Sequence, residues 1–170
     1  MRLFLNAVLF QIEWWICIAS AGHTLEIQAL LLGCGLVFLH LMLSRRRAAD
    51  IQLALVVLIL GMATDSLLQY FGVVSFYGWS LGPLSPFWLW LVWIFFSFTL
   101  NSSLSFLKKR TWVVCGLAGF LFGPISYLAG VKLGAAEFDN SFGHLMALAC
   151  SWMLVLPVLF ILNKKLFPST

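Results

Sequence analysis

The sequence has very few charged residues. Of its 170 residues, 10 are Lys or Arg and 6 are Asp or Glu, so that only 9% of the chain is charged. A soluble globular domain carries about a quarter charged residues, and this chain therefore cannot cover its surface with charge. Intrinsic disorder is excluded as well, because 62% of the residues are hydrophobic. The chain must be dissolved in lipid.

Residues that hold metals or carry chemistry are also scarce. The four cysteines stand singly in four separate apolar runs, and the three histidines form no cluster with them. A zinc site and a disulfide framework are therefore not indicated. Neither a nucleophile motif nor a Gly-rich phosphate loop occurs. We predict no metal, no cofactor and no catalytic residue, and the lack of a basic domain outside the bilayer gives nucleic-acid binding no support.

Long apolar runs are what the sequence does contain. Crossing about 30 Å of hydrocarbon takes roughly 20 apolar residues in a helix. Runs such as residues 53–60 lack the alternation that a membrane β-barrel needs. We therefore predict an all-α fold, a single transmembrane domain over residues 1–170 with six helices. The predicted spans are Leu3–Ser20, Leu25–Leu43, Ile51–Phe71, Pro86–Phe106, Thr111–Val131 and Phe142–Leu162.

The basic residues predict how these spans are oriented. They follow the second, fourth and sixth spans, as in Arg45–Arg47, Lys108–Arg110 and Lys164–Lys165, and Arg2 precedes the first. Lys132 is the one basic residue on the opposite side. Because short basic loops stay in the cytoplasm, we expect both termini inside.

Two carboxylates fall within the spans. Glu13 and Asp65 lie at similar depth in the predicted outer half, and no Lys or Arg lies within a span to pair with them. An ionisable group at such depth costs about 3 kcal/mol or more unless it has a partner, water or a function. One interpretation is a polar outer-half cavity. Its predicted ligand-binding residues are Asp65, Glu13, Tyr127, Gln69 and His144. The other interpretation, protonated carboxyls or carboxyls bonded to neighbouring helices, Trp or Tyr, stays open.

Other polar and small residues predict helix packing. Asn6 and Asn101 lie near the inner ends of the first and fourth spans, where they are expected to form a structural pair. Small residues recur in the fifth span at steps of three and four, and its proline is expected to kink the helix. These packing positions are Gly116, Gly119, Gly123, Pro124 and Gly130. The uncharged loop 72–86 is expected to lie on the bilayer surface, with a lid over the bundle as the alternative.

Several segments together resemble an uncharacterised family of small bacterial inner-membrane proteins, known as a domain of unknown function. The resemblance rests on residues 5–11, the Asp-Ser pair 65–66, residues 99–104 and, most distinctively, residues 123–135. It implies a multi-pass protein of the bacterial inner membrane. Because members are often encoded near enzymes resembling cyclopropane-fatty-acid synthases, it also implies a link to membrane lipid, and it supplies no catalytic residue.

Three functions are compatible with these observations. The first is binding or handling of a lipid or small amphipathic molecule in the polar cavity. The second is an intramembrane lipid-modifying enzyme, which is less favoured because no acid, base and nucleophile set is apparent. The third is a non-catalytic scaffold for a lipid-modifying partner, with the glycine stripe as its exposed docking surface. Membrane lipids are the expected partners, and a homo-oligomer or a membrane-enzyme partner is compatible with all three.

Overall fold

The computed structural model describes residues 2–139 and 141–166. Six α-helices lie within these residues, and each overlaps one predicted span, which confirms the all-α fold. In chain order they are α1 (Arg2–Ser20), α2 (Glu26–Leu43), α3 (Arg47–Tyr70), α4 (Phe87–Leu100), α5 (Trp112–Lys132) and α6 (Phe142–Leu166). Two short strands, β1 (Ser75–Phe76) and β2 (Ala136–Glu137), and a 3-10 helix (Ser105–Lys109) lie between them.

The helices differ in their capacity to cross a bilayer. Four of those in the described ranges, α2, α3, α5 and α6, are long and apolar enough by length and composition to span a membrane, so the protein is a membrane protein. The apolar part of α1 (Phe4–Ser20) and the whole of α4 are shorter. At 1.5 Å per residue, the 14 residues of α4 extend about 21 Å.

Helix α4 ends earlier than the sequence predicts. The fourth span was expected to reach Phe106, but the helix ends at Leu100 and the chain continues through a turn into the 3-10 helix. Serine hydroxyls offer the backbone a competing partner here. Ser102 donates to the Phe98 carbonyl at 2.6 Å, and Ser105 donates to the Ser102 carbonyl, also at 2.6 Å.

Helix α4 forms the centre of the bundle. It packs against α1, α2 and α3, while α6 packs against α3 and α5. Most of its residues are buried, among them Trp88, Trp93 and Leu100, which are 3%, 3% and 0% exposed. A helix that is apolar on every side suits a buried position. Helix α5 lies at the edge of the bundle, with α6 as its main neighbour.

Glycines set the close contact between α5 and α6. A Cβ atom on Gly119 would lie 2.2 Å from the Trp152 backbone oxygen, and one on Gly123 would lie 2.2 Å from the Trp152 indole. Gly116 faces Met153 in the same way, at 3.1 Å from its backbone oxygen. Gly116, Gly119 and Gly123 are therefore covered by α6, and this glycine stripe offers no exposed docking surface for a partner.

The remaining packing positions of α5 lie around this stripe. Pro124 is buried inside the helix beside Gly123. Gly130 is also buried, but a Cβ atom there would meet only the Ile18 side chain of α1, at an ordinary 3.9 Å. Gly130 therefore marks where α5 approaches α1 rather than α6.

The uncharged loop 72–86 is held by the loop that follows α5. Strands β1 and β2 pair antiparallel, and the Tyr77 amide extends the ladder by donating to the Ala135 carbonyl at 3.0 Å. The Tyr77 hydroxyl donates to the Glu137 carboxylate. The two loops thus form one cap over this end of the bundle.

Glu26 ties the α1–α2 turn to the same cap. Its side chain is 1% exposed, and its carboxylate accepts from the Gly22 amide at 3.1 Å and from the Trp79 amide at 2.8 Å. Gly78 has a φ of 116°, and a Cβ atom there would lie 2.8 Å from the Glu26 carboxylate. Only glycine leaves room for this carboxylate at that backbone conformation.

Candidate functional site

Asp65 is the centre of a buried hydrogen-bonded network. It is 0% exposed on α3, and the Trp93 indole N–H donates to its Oδ2 at 2.6 Å. The Tyr127 hydroxyl donates to its Oδ1. The carboxyl thereby joins α3, α4 and α5 through side chains alone. This arrangement matches the second interpretation of the sequence, in which the carboxyl is bonded to Trp and Tyr.

Glycines make room for the indoles of this network. A Cβ atom on Gly61, one turn before Asp65, would lie 2.0 Å from the Trp93 ring. The Trp93 indole stacks on the Trp152 indole, with centroids 5.2 Å apart and planes 13° from parallel. Because Trp152 in turn lies over the glycines of α5, two stacked indoles fill the space between α3 and α5.

Glu13 lies elsewhere in the bundle. It is 2% exposed, and neither carboxyl oxygen has a hydrogen-bond partner within the described part of the chain. It faces α2 at Gly33, where a Cβ atom would lie 3.6 Å from its Oε2. The predicted shared site with Asp65 is therefore not formed, because Glu13 points to α2 while Asp65 points to α4 and α5.

The other two predicted ligand-binding residues have local partners. The Gln69 Oε1 accepts from the Phe76 amide at 3.3 Å and so supports β1. The His144 Nδ1 lies 3.6 Å from the Asp139 carboxylate, near the end of the bundle that the cap covers. Of the five predicted residues, the structure brings together Asp65 and Tyr127, and it does not form a polar outer-half cavity around all five.

Asn6 binds the end of α4 through partners other than Asn101. Its Oδ1 accepts from the hydroxyl of Ser103 at 2.9 Å and shares the single hydroxyl proton of Ser102 with the Phe98 carbonyl, and its Nδ2 donates to the Phe98 carbonyl at 3.4 Å. The Asn101 Oδ1 instead accepts from Lys108 at 3.2 Å. The predicted tie between α1 and α4 therefore exists, but serines of the turn after α4 supply it.

An elongated apolar cavity of about 670 Å³ lies between α1 and α5, with α4 and α6 as its floor. We call it the α1–α5 groove. Its lining includes Phe10, Gln11, Trp14 and Ile18 of α1, Trp88, Val92, Trp93 and Phe96 of α4, Ala118, Phe122, Ile125, Ser126, Tyr127 and Ala129 of α5, and Trp152 and Leu156 of α6. It extends from Leu104 and Leu107 at one end to Phe76 and Ala136 of the cap at the other.

The groove opens sideways, toward the surroundings of the bundle. Three of its lining side chains are more than half exposed, Phe106 at 57%, Phe122 at 68% and Ile125 at 59%. For helices that cross a bilayer, this opening faces hydrocarbon chains. A molecule that is already dissolved in the membrane therefore has direct access to the groove.

The Asp65 network forms the rigid back wall of this groove. Trp93 and Tyr127, which bind Asp65, and Trp152, which stacks on Trp93, all line it. Asp65 itself does not line the groove, but it holds the lining residues Trp93 and Tyr127 in place. Chemically, such an arrangement can bind and orient an apolar molecule.

Sequence reasoning missed the contribution of α1 to the groove. Gln11, Trp14 and Ile18 follow one another at steps of three and four residues, which places them on one face of α1. Glu13, two residues from Gln11, falls on another face. This spacing is the sequence signal that could have identified the α1 side of the groove.

Comparison with known proteins gives a family and no function. The family model described as "Protein of unknown function (DUF2878)" matches residues 3–158, which is most of the chain. No curated protein and no solved structure matches.

Proposed function

We propose that this chain, which belongs to the family described as "Protein of unknown function (DUF2878)", binds one elongated apolar or amphipathic lipid in the α1–α5 groove. The observation that carries the proposal is the groove itself, an apolar cavity of about 670 Å³ that opens sideways from a membrane bundle. Ligand pockets typically enclose roughly 300–1,000 Å³.

The walls of the groove support binding of a ligand over simple helix packing. Membrane helices associate through small residues that let their backbones approach. On the groove face, α1 carries bulky side chains such as Trp14, and α5 carries Phe122 and Ile125 among small residues. The back wall is fixed by the hydrogen bonds of Trp93 and Tyr127 to Asp65. A rigid wall costs a ligand little ordering on binding.

The basic residues indicate where the protein resides and how it is oriented. We place it in the bacterial inner membrane, with the basic end of the bundle toward the cytoplasm. Arg46 and Lys164 both act electrostatically on Lys108, which supports a common end for three separate basic segments. Short basic segments are retained on the cytoplasmic side.

Photolabelling tests the proposal. The protein is reconstituted in lipid nanodiscs that contain phosphatidylcholine with a diazirine in its acyl chain, and labelled peptides are mapped by mass spectrometry. We expect adducts to concentrate on the groove faces of α1 and α5. Ala118→Phe and Ala129→Phe, which fill the groove, should each reduce this labelling severalfold.

Ala147→Phe is the matched control, because Ala147 is exposed on α6 and does not line the groove. It adds the same volume and should leave groove labelling unchanged. Equal labelling of all exposed helix faces, or equal effects of the three substitutions, would show that the groove holds no lipid.

A further inference from the structure

We propose that the preferred ligand of the α1–α5 groove is an isoprenoid quinone, a planar ring with carbonyl oxygens on a long branched apolar chain. The inference rests on the proposed function, since it names the ligand class of the same groove. Two features support it independently: the aromatic composition of the lining and the position of the Gln11 amide.

The lining is much richer in aromatic side chains than the chain as a whole. Ten of the 25 lining residues are Phe, Trp or Tyr, whereas these types make up 16% of the sequence. A saturated acyl chain gains from an aromatic wall little more than from an aliphatic one. A planar conjugated ring gains additional attraction from offset stacking and edge contacts. The groove therefore favours a lipid that carries a flat ring.

The aromatic side chains of the lining contact one another with the stacked and edge-to-face geometries that aromatic rings prefer. Trp93 and Trp152 are stacked, and Phe76 and Tyr127 lie 6.0 Å apart at 57°. Trp88 and Phe76 meet edge to face at 6.3 Å and 78°. Stacked and edge-to-face pairs thus both occur among the rings of the lining.

Gln11 supplies a hydrogen-bonding group at an unusual depth. It lies at the midpoint of α1, lines the groove and is exposed. No hydrogen bond of its side-chain amide is found within residues 2–139 and 141–166. An amide without a partner is costly in hydrocarbon, so a ligand that accepts its N–H is favoured there.

The depth and charge of the groove distinguish a quinone from a phospholipid. The ester and phosphate groups of a phospholipid stay near the membrane surface, whereas Gln11 lies about midway along α1. A quinone carbonyl belongs to an uncharged ring and can enter the hydrocarbon. No Lys, Arg, Asp or Glu is among the described lining residues, which matches an uncharged ligand. A carbonyl accepting from the Gln11 amide satisfies both groups.

Competition in nanodiscs tests this assignment. Decylubiquinone and decanol, which carry unbranched chains of equal length, are titrated against the diazirine phosphatidylcholine probe. We expect decylubiquinone to displace groove labelling at a concentration at least tenfold lower than decanol. Gln11→Leu should raise that concentration about five- to tenfold, the effect of one neutral hydrogen bond.

Gln52→Leu is the control, because Gln52 is exposed on α3 and does not line the groove. Equal displacement by decylubiquinone and decanol in the unsubstituted protein would overturn the quinone assignment, even if Gln11→Leu failed to insert. So would an equal effect of the two Gln→Leu changes. In both cases groove labelling by the probe persists and the proposed function stands, whereas absence of that labelling refutes the proposed function itself.

Discussion

Replacing Tyr127 by Phe isolates one hydrogen bond of the Asp65 network. The ring stays, so its contacts with Phe76 at 6.0 Å and Trp152 at 6.2 Å are kept. Asp65 loses one donor and retains the Trp93 indole N–H. The perturbation therefore removes a single hydroxyl from a site that is 0% exposed at the carboxyl.

The expected cost follows from where the bond lies. A hydrogen bond to a charged group contributes about 1.5–3 kcal/mol in water-soluble proteins. Interhelical hydrogen bonds in membranes average only about 0.6 kcal/mol, with a maximum near 1.7, because the unfolded state also finds partners. Burial at Asp65 prevents water from replacing the lost donor. We therefore expect Tyr127→Phe to lower the free energy of unfolding by about 1.5 kcal/mol, the upper part of the membrane range.

Unfolding in mixed micelles at increasing dodecyl sulfate mole fraction measures this cost. Tyr70→Phe is the matched control, because Tyr70 is 78% exposed at the end of α3. It should change the unfolding free energy by less than about 0.5 kcal/mol.

In an Asp65→Ala background, Tyr127→Phe is no longer expected to lower the free energy of unfolding. There the Tyr127 hydroxyl has lost its acceptor, so its removal should be neutral or stabilising. If Tyr127→Phe costs the same with and without Asp65, or no more than Tyr70→Phe, the carboxyl does not anchor α5 and the rigid back wall is refuted.

Four further substitutions test the packing and the cap. Gly119→Ala should destabilise the bundle by about 2 kcal/mol or more in the same assay, since a Cβ atom would lie 2.2 Å from backbone of α6. Gly35→Ala has open space and should be neutral or stabilising by up to about 1 kcal/mol. Asn6→Leu should cost about 1 kcal/mol, because the Ser103 hydroxyl loses its acceptor while the Ser102 hydroxyl retains the Phe98 carbonyl. The hydrogen bond to Glu137 raises the pKa of the Tyr77 phenol. This hydrogen bond is present below the ordinary phenol pKa, and it is lost as pH rises through the higher pKa of the folded protein. Glu137→Gln should lower the pKa of the Tyr77 phenol in an absorbance titration at alkaline pH, and an unchanged curve would contradict this contact.

The helices were predictable because each apolar run specifies a helix through its own residues, whatever packs against it. Six runs became six helices. Helix α3 begins and α6 ends four residues beyond the predicted spans, and the largest difference is at the end of α4, which falls six residues early. There the difference arises from hydroxyl bonds to backbone carbonyls, as with Ser102 and Phe98, which hydropathy does not register. Sidedness remains a prediction from the basic residues.

The partners of the carboxylates were not predictable in the same way. Glu13 and Asp65 are equivalent in hydropathy and predicted depth, yet one faces Gly33 without a hydrogen bond and the other is bound by Trp93 and Tyr127. The difference depends on which helices become neighbours and at what rotation. In a single sequence, the positions of the glycines indicate which helix faces pack closely. They do not indicate which helix packs against each face.

The same rule of small residues explains why the groove exists. On α5 the glycines at 116, 119 and 123 are turned to α6 and let the two backbones meet. The groove lining includes the bulky Phe122 and Ile125 of α5 and Trp14 of α1. At Gly130, a Cβ atom would lie 3.9 Å from the Ile18 side chain of α1. The groove is thus a consequence of side-chain size within the chain, and it is present before any ligand enters.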